Sequence, residues 1–195
     1  MLRMAGRNPA ERPARGADAE DVRLMARVAL EDVRAFEQVY RRYYPRLARF
    51  LRGMLRQQAL VDEVLDDTML VAWRKAHTWD AASQLSTWLF AIAYRQALKA
   101  ARRDAPALAL DEEPAAPASA GPDSELEHHQ LQRRLAGALG ALTPEHRAVV
   151  ELTYYHGYSC REISDIVGCP VATVKTRMFY ARQRLRGLLA GEAMP

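Results

Sequence analysis

Cysteine is almost missing from this chain: Cys160 and Cys169 are its whole complement. Two thiols cannot form a disulfide framework, and the count fits a reducing compartment, so a cytoplasmic protein is expected rather than a secreted one. Long apolar runs are missing too. No stretch approaches the roughly 18 uncharged apolar residues that would cross a bilayer, so no membrane insertion is expected. Residues 1–20 lack the apolar segment of a secretory signal. They carry Arg3, Arg7, Arg12 and Arg15 among helix-breaking Pro9, Pro13 and Gly16, and read as a disordered leader. Glycine is sparse, at 10 of 195 residues, and Val, Ile and Thr form no alternating runs, which argues against sheet. There is no phosphate-cradling glycine loop, no His/Cys metal spacing and no nucleophile beside a plausible base. No catalytic residue, metal or cofactor is therefore expected, and the chain does not read as an enzyme.

What the chain does have is Ala, Leu and Arg in abundance, within an ordinary balance of 49% hydrophobic and 27% charged residues. That mixture favours an all-α fold. Its 28 Lys and Arg exceed 24 Asp and Glu by only four, so charge is informative only through its segregation. Residues 21–103 read as one helical domain, with an apolar stripe that includes Leu24, Val28, Phe36, Val39, Tyr43, Val64, Thr68 and Ala72. Pro45 reads there as a helix start or a kink. Residues 104–124 then change character: four prolines, many alanines and five acids, with no Lys or Arg. Such a segment buries too little surface to offset its ordering entropy and reads as a flexible acidic linker. Residues 125–190 read as a second helical domain. Thr143 and Pro144 open one helix, and Ser159 with Glu162 match a capping box. Gly168 closes the short helix that follows, and a last helix runs from about Val171 to Leu189. The domain therefore ends in a helix-turn-helix.

In that last helix Val174, Met178, Ala181 and Leu185 share one sector at 100° per residue, which must be the packing face. Lys175, Arg177, Arg182, Arg184 and Arg186 supply positive charge without a single acid between Val171 and Leu189, and Thr173, Thr176 and Tyr180 lie away from the apolar stripe. A one-signed helix after a capped helix and a tight turn suits a major groove. In the first domain Asp62, Glu63, Asp66 and Asp67 form an acidic ridge at helical spacing, better suited to a basic protein partner than to a metal. Further on, Trp88 and Tyr94 are interleaved with Arg95, Lys99, Arg102 and Arg103, a pattern fit for exposed bases and phosphates, although Trp88 taken alone reads as core.

These residues carry a family resemblance. VDEVLDDTMLVAWR (Val61 to Arg74) resembles the core-binding region 2.2 of bacterial sigma factors, and STWLFAIAYRQALKAARR (Ser86 to Arg103) resembles regions 2.3 and 2.4. LTPEHRAVVELTYYHGYSCREISDIVGCPVATVKTRMFYARQRLR (Leu142 to Arg186) resembles region 4 of the extracytoplasmic-function (ECF) group. The resemblance implies a transcription initiation factor that binds core RNA polymerase through its β and β′ subunits. Asp62, Glu63, Asp66, Asp67 and Trp73 would dock on the polymerase. The loop Asp80 to Ser86, with Ser83, Gln84 and Ser86, would hold a flipped base of the promoter −10 element. Trp88, Tyr94, Arg95, Lys99, Arg102 and Arg103 would follow the exposed strand. Ala172, Thr173, Lys175, Thr176, Arg177, Tyr180 and Arg182 would read or flank the −35 duplex. The linker would thread toward the polymerase interior, and an anti-sigma protein is an expected partner. Arg95, Lys99, Asp66 and Tyr180 depart from the residues common in the family. The rival reading is a stand-alone helix-turn-helix repressor or activator.

Overall fold

A computed structural model describes residues 18–55, 57–104 and 133–191, and every regular element among them is helical. The expected linker, the start of the second domain and most of the leader lie outside the described residues. The first helix, α1 (Ala19–Val28), begins inside the segment read as a leader. The Asp18 carboxylate accepts a hydrogen bond from the Glu20 amide at 2.9 Å, and Glu20 and Asp21 place negative charge at the positive end of the helix dipole. Two of those first-turn acids also anchor the helix. Arg42 pairs with Glu20 and Asp21, while the Tyr43 hydroxyl donates to Asp21 at 2.5 Å.

Helix α2 (Val33–Met54) is capped by Asp32, whose carboxylate accepts from the Arg34 and Ala35 amides. It continues through Pro45, which lies inside the helix and not at the start that the sequence suggested as one of two readings. The proline sits on the exposed side, where water can satisfy the carbonyl it leaves without a partner. Four side chains beyond it, Leu47, Phe50, Leu51 and Met54, are buried and anchor the second half to the core. Helix α3 (Gln58–Arg74) buries Val61, Val64, Leu65, Thr68, Met69 and Ala72 against α2 and α4. A 3-10 turn (Ala76–Thr78) leads to α4 (Leu85–Asp104). Because α4 opens at Leu85, Ser86 belongs to the helix and not to the loop expected over Asp80 to Ser86.

The second module begins, within the described residues, with helical residues 133–140 (α5). Helix α6 (Pro144–Tyr154) has Thr143 as its cap and proline in its first turn. Helix α7 (Cys160–Val167) has the full capping box: Ser159 Oγ accepts from the Glu162 amide, and the Glu162 carboxylate accepts from the Ser159 amide. It ends at Gly168, whose φ of 68° is the left-handed geometry that favours glycine. Helix α8 (Val171–Gly191) turns Val174, Met178 and Ala181 inward, as its spacing required.

The sequence suggested two domains on a flexible tether. The described residues form two helical modules on either side of residues 105–132, and these modules also pack on each other, α4 against α7 and α2 against α6, their apolar residues forming one continuous buried cluster. Among the described residues no helix is long and apolar enough to cross a membrane.

Candidate nucleic-acid interface

The expected contact residues fall into three groups. On α3, Asp62, Glu63, Asp66 and Asp67 are all exposed along one side, opposite the buried face. Gln58 Nε2 donates to the Asp62 carboxylate at 2.8 Å, and Glu63 pairs with Arg103 of α4 at 2.7 Å. Trp73 stands half-buried beside them, its ring 5.0 Å from that of Phe36 in an edge-to-face contact. The ridge is therefore a set of carboxylates flanked by an aromatic wall, and one of its acids already meets a cation of the neighbouring helix.

On α4 the expected residues separate into two kinds. Arg95, Lys99, Arg102 and Arg103 are exposed, and the spacing of Arg95, Lys99 and Arg102 (i, i+4, i+7) puts them in one row. Ser83, Gln84 and Trp88 are half-buried, with Trp88 packed against the core. Ser86 and Tyr94 are different, only 4% and 3% exposed. Both lie toward the second module: Ser86, whose hydroxyl donates to Gln84 Oε1 at 3.3 Å, lines a cavity with His156, Gly157 and Tyr158, and the Tyr94 phenol feels the charges of Arg177 and Glu145. Burial raises the pKa of Tyr94 above its ordinary value and does the same for Tyr158.

On α8, Ala172, Lys175, Thr176, Tyr180 and Arg182 are exposed, and Thr173 is half-buried. The Thr176 hydroxyl donates back to the Ala172 carbonyl at 3.0 Å, which aims its methyl outward. Arg182 lies 5.6 Å from the Tyr154 ring centre, a cation–π contact that ties it to α6. Phe179, off the apolar stripe, is 64% exposed and meets Tyr180 edge to face. Arg177 is the exception: half-buried, it points a guanidinium at Cys169 Sγ, 3.7 Å away, and toward Tyr94.

Sequence reasoning missed the seam between the modules. Arg147 donates to the Leu139, Gly140 and Leu142 carbonyls of its own module and to the Met54 carbonyl at the end of α2. Glu151, one helical turn on, is buried with its carboxyl against Gly53. A Cβ at position 53 would lie 2.5 Å from the Glu151 Cδ. Burial pushes the Glu151 carboxyl up to about 7, against the pull of Arg49 and Arg147. His156 meets the rings of Phe90 and Phe50 at 4.8 and 6.0 Å, and burial, reinforced by Arg46 and Arg49, pushes its imidazole down to about 4. Arg49 lies 5.2 Å from the Tyr155 ring centre, and Arg46 reaches the Tyr158 hydroxyl at 3.5 Å. The signal available beforehand was an Arg and a Glu four apart inside the apolar run of α6.

Two family profiles match the chain: Sigma-70 region 2 over residues 39–106, and Sigma-70, region 4 over residues 132–185. The RNA polymerase sigma factor CarQ of Myxococcus xanthus is 35% identical over 157 residues, covering 80% of this chain and 89% of that protein. The ECF RNA polymerase sigma factor RpoE of Cereibacter sphaeroides is 31% identical over 164 residues, covering 80% and 86%. Among solved structures, the sigma factor RpoE of Bartonella quintana, in complex with the anti-sigma factor NepR, superposes with a TM-score of 0.62 at 27% identity, covering 80% of this chain and 96% of that one.

Proposed function

The chain belongs to the ECF family of RNA polymerase sigma factors, and from that premise we propose how its surfaces divide the work of promoter selection. The acidic ridge of α3, with Trp73 beside it, docks on a basic face of core RNA polymerase made by the β and β′ subunits. Opposite charge there steers the encounter and sets orientation more than it adds raw affinity. Arg95, Lys99 and Arg102 follow the phosphates of the −10 strand once it is single, with Trp88 offering a ring for stacking and Ser83 and Gln84 holding a base. Lys175, Thr176, Arg177 and Tyr180, at the start of α8, enter the major groove of the −35 duplex, and Arg182 lies along its backbone.

The observation that supports this reading is the separation of charge on one chain: four exposed carboxylates on α3, and no acidic residue anywhere along α8. A stand-alone regulator needs the second feature but has no use for the first. Each reading module alone binds weakly, and holding both on one polymerase makes the second contact effectively intramolecular. The protein would work in the cytoplasm as an initiation factor, without turnover of its own. The Bartonella relative is held by an anti-sigma factor, and a partner of the same kind is proposed for this chain.

The test is transcription by bacterial core RNA polymerase from pooled genomic promoter fragments, with and without the chain. Promoter-selective transcripts are expected, and they fade in the double substitution Asp62→Lys, Asp66→Lys, whose sites are exposed and leave the fold intact. Failure to associate with core, together with specific duplex binding by the chain alone, would instead identify a stand-alone regulator.

A further inference from the structure

We infer that α2 and the turn after α6 build a binding site for a small phosphorylated ligand of the nucleotide class, its phosphates held by Arg46 and Arg49 and its sugar or base against Pro45 and Tyr155. The inference does not depend on the sigma-factor reading, because it concerns residues to which that reading gives no role. A groove of about 310 Å³ is bounded by Pro45, Arg46 and Arg49 on one side and by Tyr155 and His156 on the other. That volume lies at the small end of the range of small-ligand sites. Its walls combine two cations with an exposed proline and a part-exposed aromatic ring, the mixture that a phosphate attached to an organic body requires.

The charge in this groove is uncompensated. Arg42, one turn before Arg46 on the same helix, pairs with Glu20 and Asp21, but neither Arg46 nor Arg49 forms an ion pair among the described residues. Both guanidinium groups lie over rings instead, Arg46 at 5.7 Å from the centre of Phe90 and Arg49 at 5.2 Å from that of Tyr155. Such stacking occupies the faces of a planar cation and leaves its N–H edges for a phosphate. Of those edges, Arg46 spends one N–H on the Tyr158 hydroxyl at 3.5 Å. The acids close by are committed elsewhere: Asp21 to Arg42 and Tyr43, and Glu162 to Ser159. Glu151 is buried, with its pKa pushed up to about 7, so at neutral pH it supplies only part of a charge. The excess positive field falls on His156, which it helps to keep neutral and whose buried Nε2 has no hydrogen-bond partner among the described residues. Arginines three apart on a helix are neighbours. An anion with two or more charges can offset both at once, whereas a single carboxylate engages one fork.

The test titrates the full-length chain by calorimetry with pyrophosphate, with ADP, and with a short single strand of DNA that has no terminal phosphate. One ADP is expected to bind per chain, more tightly than pyrophosphate, and the strand more weakly than either. Arg46→Gln and Arg49→Gln are each expected to weaken ADP binding at least about tenfold, the loss of one hydrogen bond to a charged group. Both sites are exposed, and circular dichroism checks that the variants keep their helix content. Arg52→Gln removes an exposed arginine of the same helix outside the groove and should leave binding unchanged. In NMR spectra the His156 ring signal, identified by its loss in His156→Gln, should move as ADP saturates the wild type and stay still in Arg46→Gln. Absence of binding at millimolar ADP would overturn the site. An equal loss in Arg52→Gln would overturn it too, since it would mark diffuse attraction to a basic helix. Tighter binding of the strand, with the same dependence on Arg46 and Arg49, would overturn the assignment to a small ligand and give the groove to a nucleic-acid backbone. Equal affinity for ADP and pyrophosphate would overturn the nucleotide class.

Discussion

The two helices assigned to DNA, α4 and α8, solve different packing problems. Helix α8 leans on its own module along Val174, Met178 and Ala181, and most of its remaining circumference is exposed. Helix α4 is pressed from two sides, by α2 and α3 of its own module and by α7 of the other, so that Leu89, Phe90, Ala91, Ile92, Ala93 and Tyr94 are all buried in succession. A helix with one dry side announces itself by apolar spacing. A helix with two dry sides shows no clean stripe, and its polar residues on the second side look available when they are not.

The sharpest way to break this contrast is to truncate a side chain that serves both modules. Phe90 is fully buried and touches Phe50 of its own module and His156 and Tyr158 of the other. Phe90→Ala is expected to cost about 3–5 kcal/mol in urea unfolding, in the range for large aromatic truncations in a core. An equivalent loss below 1 kcal/mol would mean that α4 is not held from both sides.

A second test uses acidity. Folding raises the Glu151 pKa from its ordinary 4.5 to about 7, so the stability tied to its protonated form is complete below pH 4.5 and is lost as pH rises through 7. Folding lowers the His156 pKa from its ordinary 6.5 to about 4, so the stability tied to its neutral form is complete above pH 6.5 and is lost as pH falls through 4. Between pH 4.5 and 6.5 the two slopes oppose each other, and wild-type unfolding should depend little on pH through these groups. Relative to that baseline, His156→Gln should become more stable as pH falls from 7 to 4.5, and Glu151→Gln less stable as pH falls from 6.5 to 4. Urea midpoints across this range check both signs, and the same slope in both variants would refute the assignment.

The smallest effect is expected at the pair joining the acidic ridge to α4. Arg103 and Glu63 are both more than half exposed, and water and salt screen their attraction. Arg103→Ala should shift stability by less than about 1 kcal/mol, while reducing the salt dependence of DNA binding by about one phosphate contact.

Much of this molecule was legible in its sequence because the signals are local. The Ser159 and Glu162 box, the left-handed Gly168 and the inward stripe of α8 each depend on residues within a turn or two, and all three stand where spacing put them. The acidic ridge is exposed for the same reason: α3 has one dry side and one wet one. What could not be read depends on distant partners. Arg147 meets a carbonyl 93 residues away, and Glu151 needs the missing side chain of Gly53. Pro45 does not start a helix but lies inside α2, tolerated because Leu47, Phe50 and Leu51 are buried beyond it and hold the helix across a missing hydrogen bond. Ser86 and Tyr94 have the right chemistry for DNA, and only the second module's position reveals that they are covered.

The guanidinium of Arg147 donates to four backbone carbonyls, those of Met54, Leu139, Gly140 and Leu142. Its one bond across the seam, to Met54, is directional and made to a dipole in a buried place, where mobile ions screen weakly. Contacts to phosphates weaken steeply as counterions are added. Ionic strength should thus act on this protein as a selective dial, loosening its grip on DNA while the clasp between its halves stays fastened.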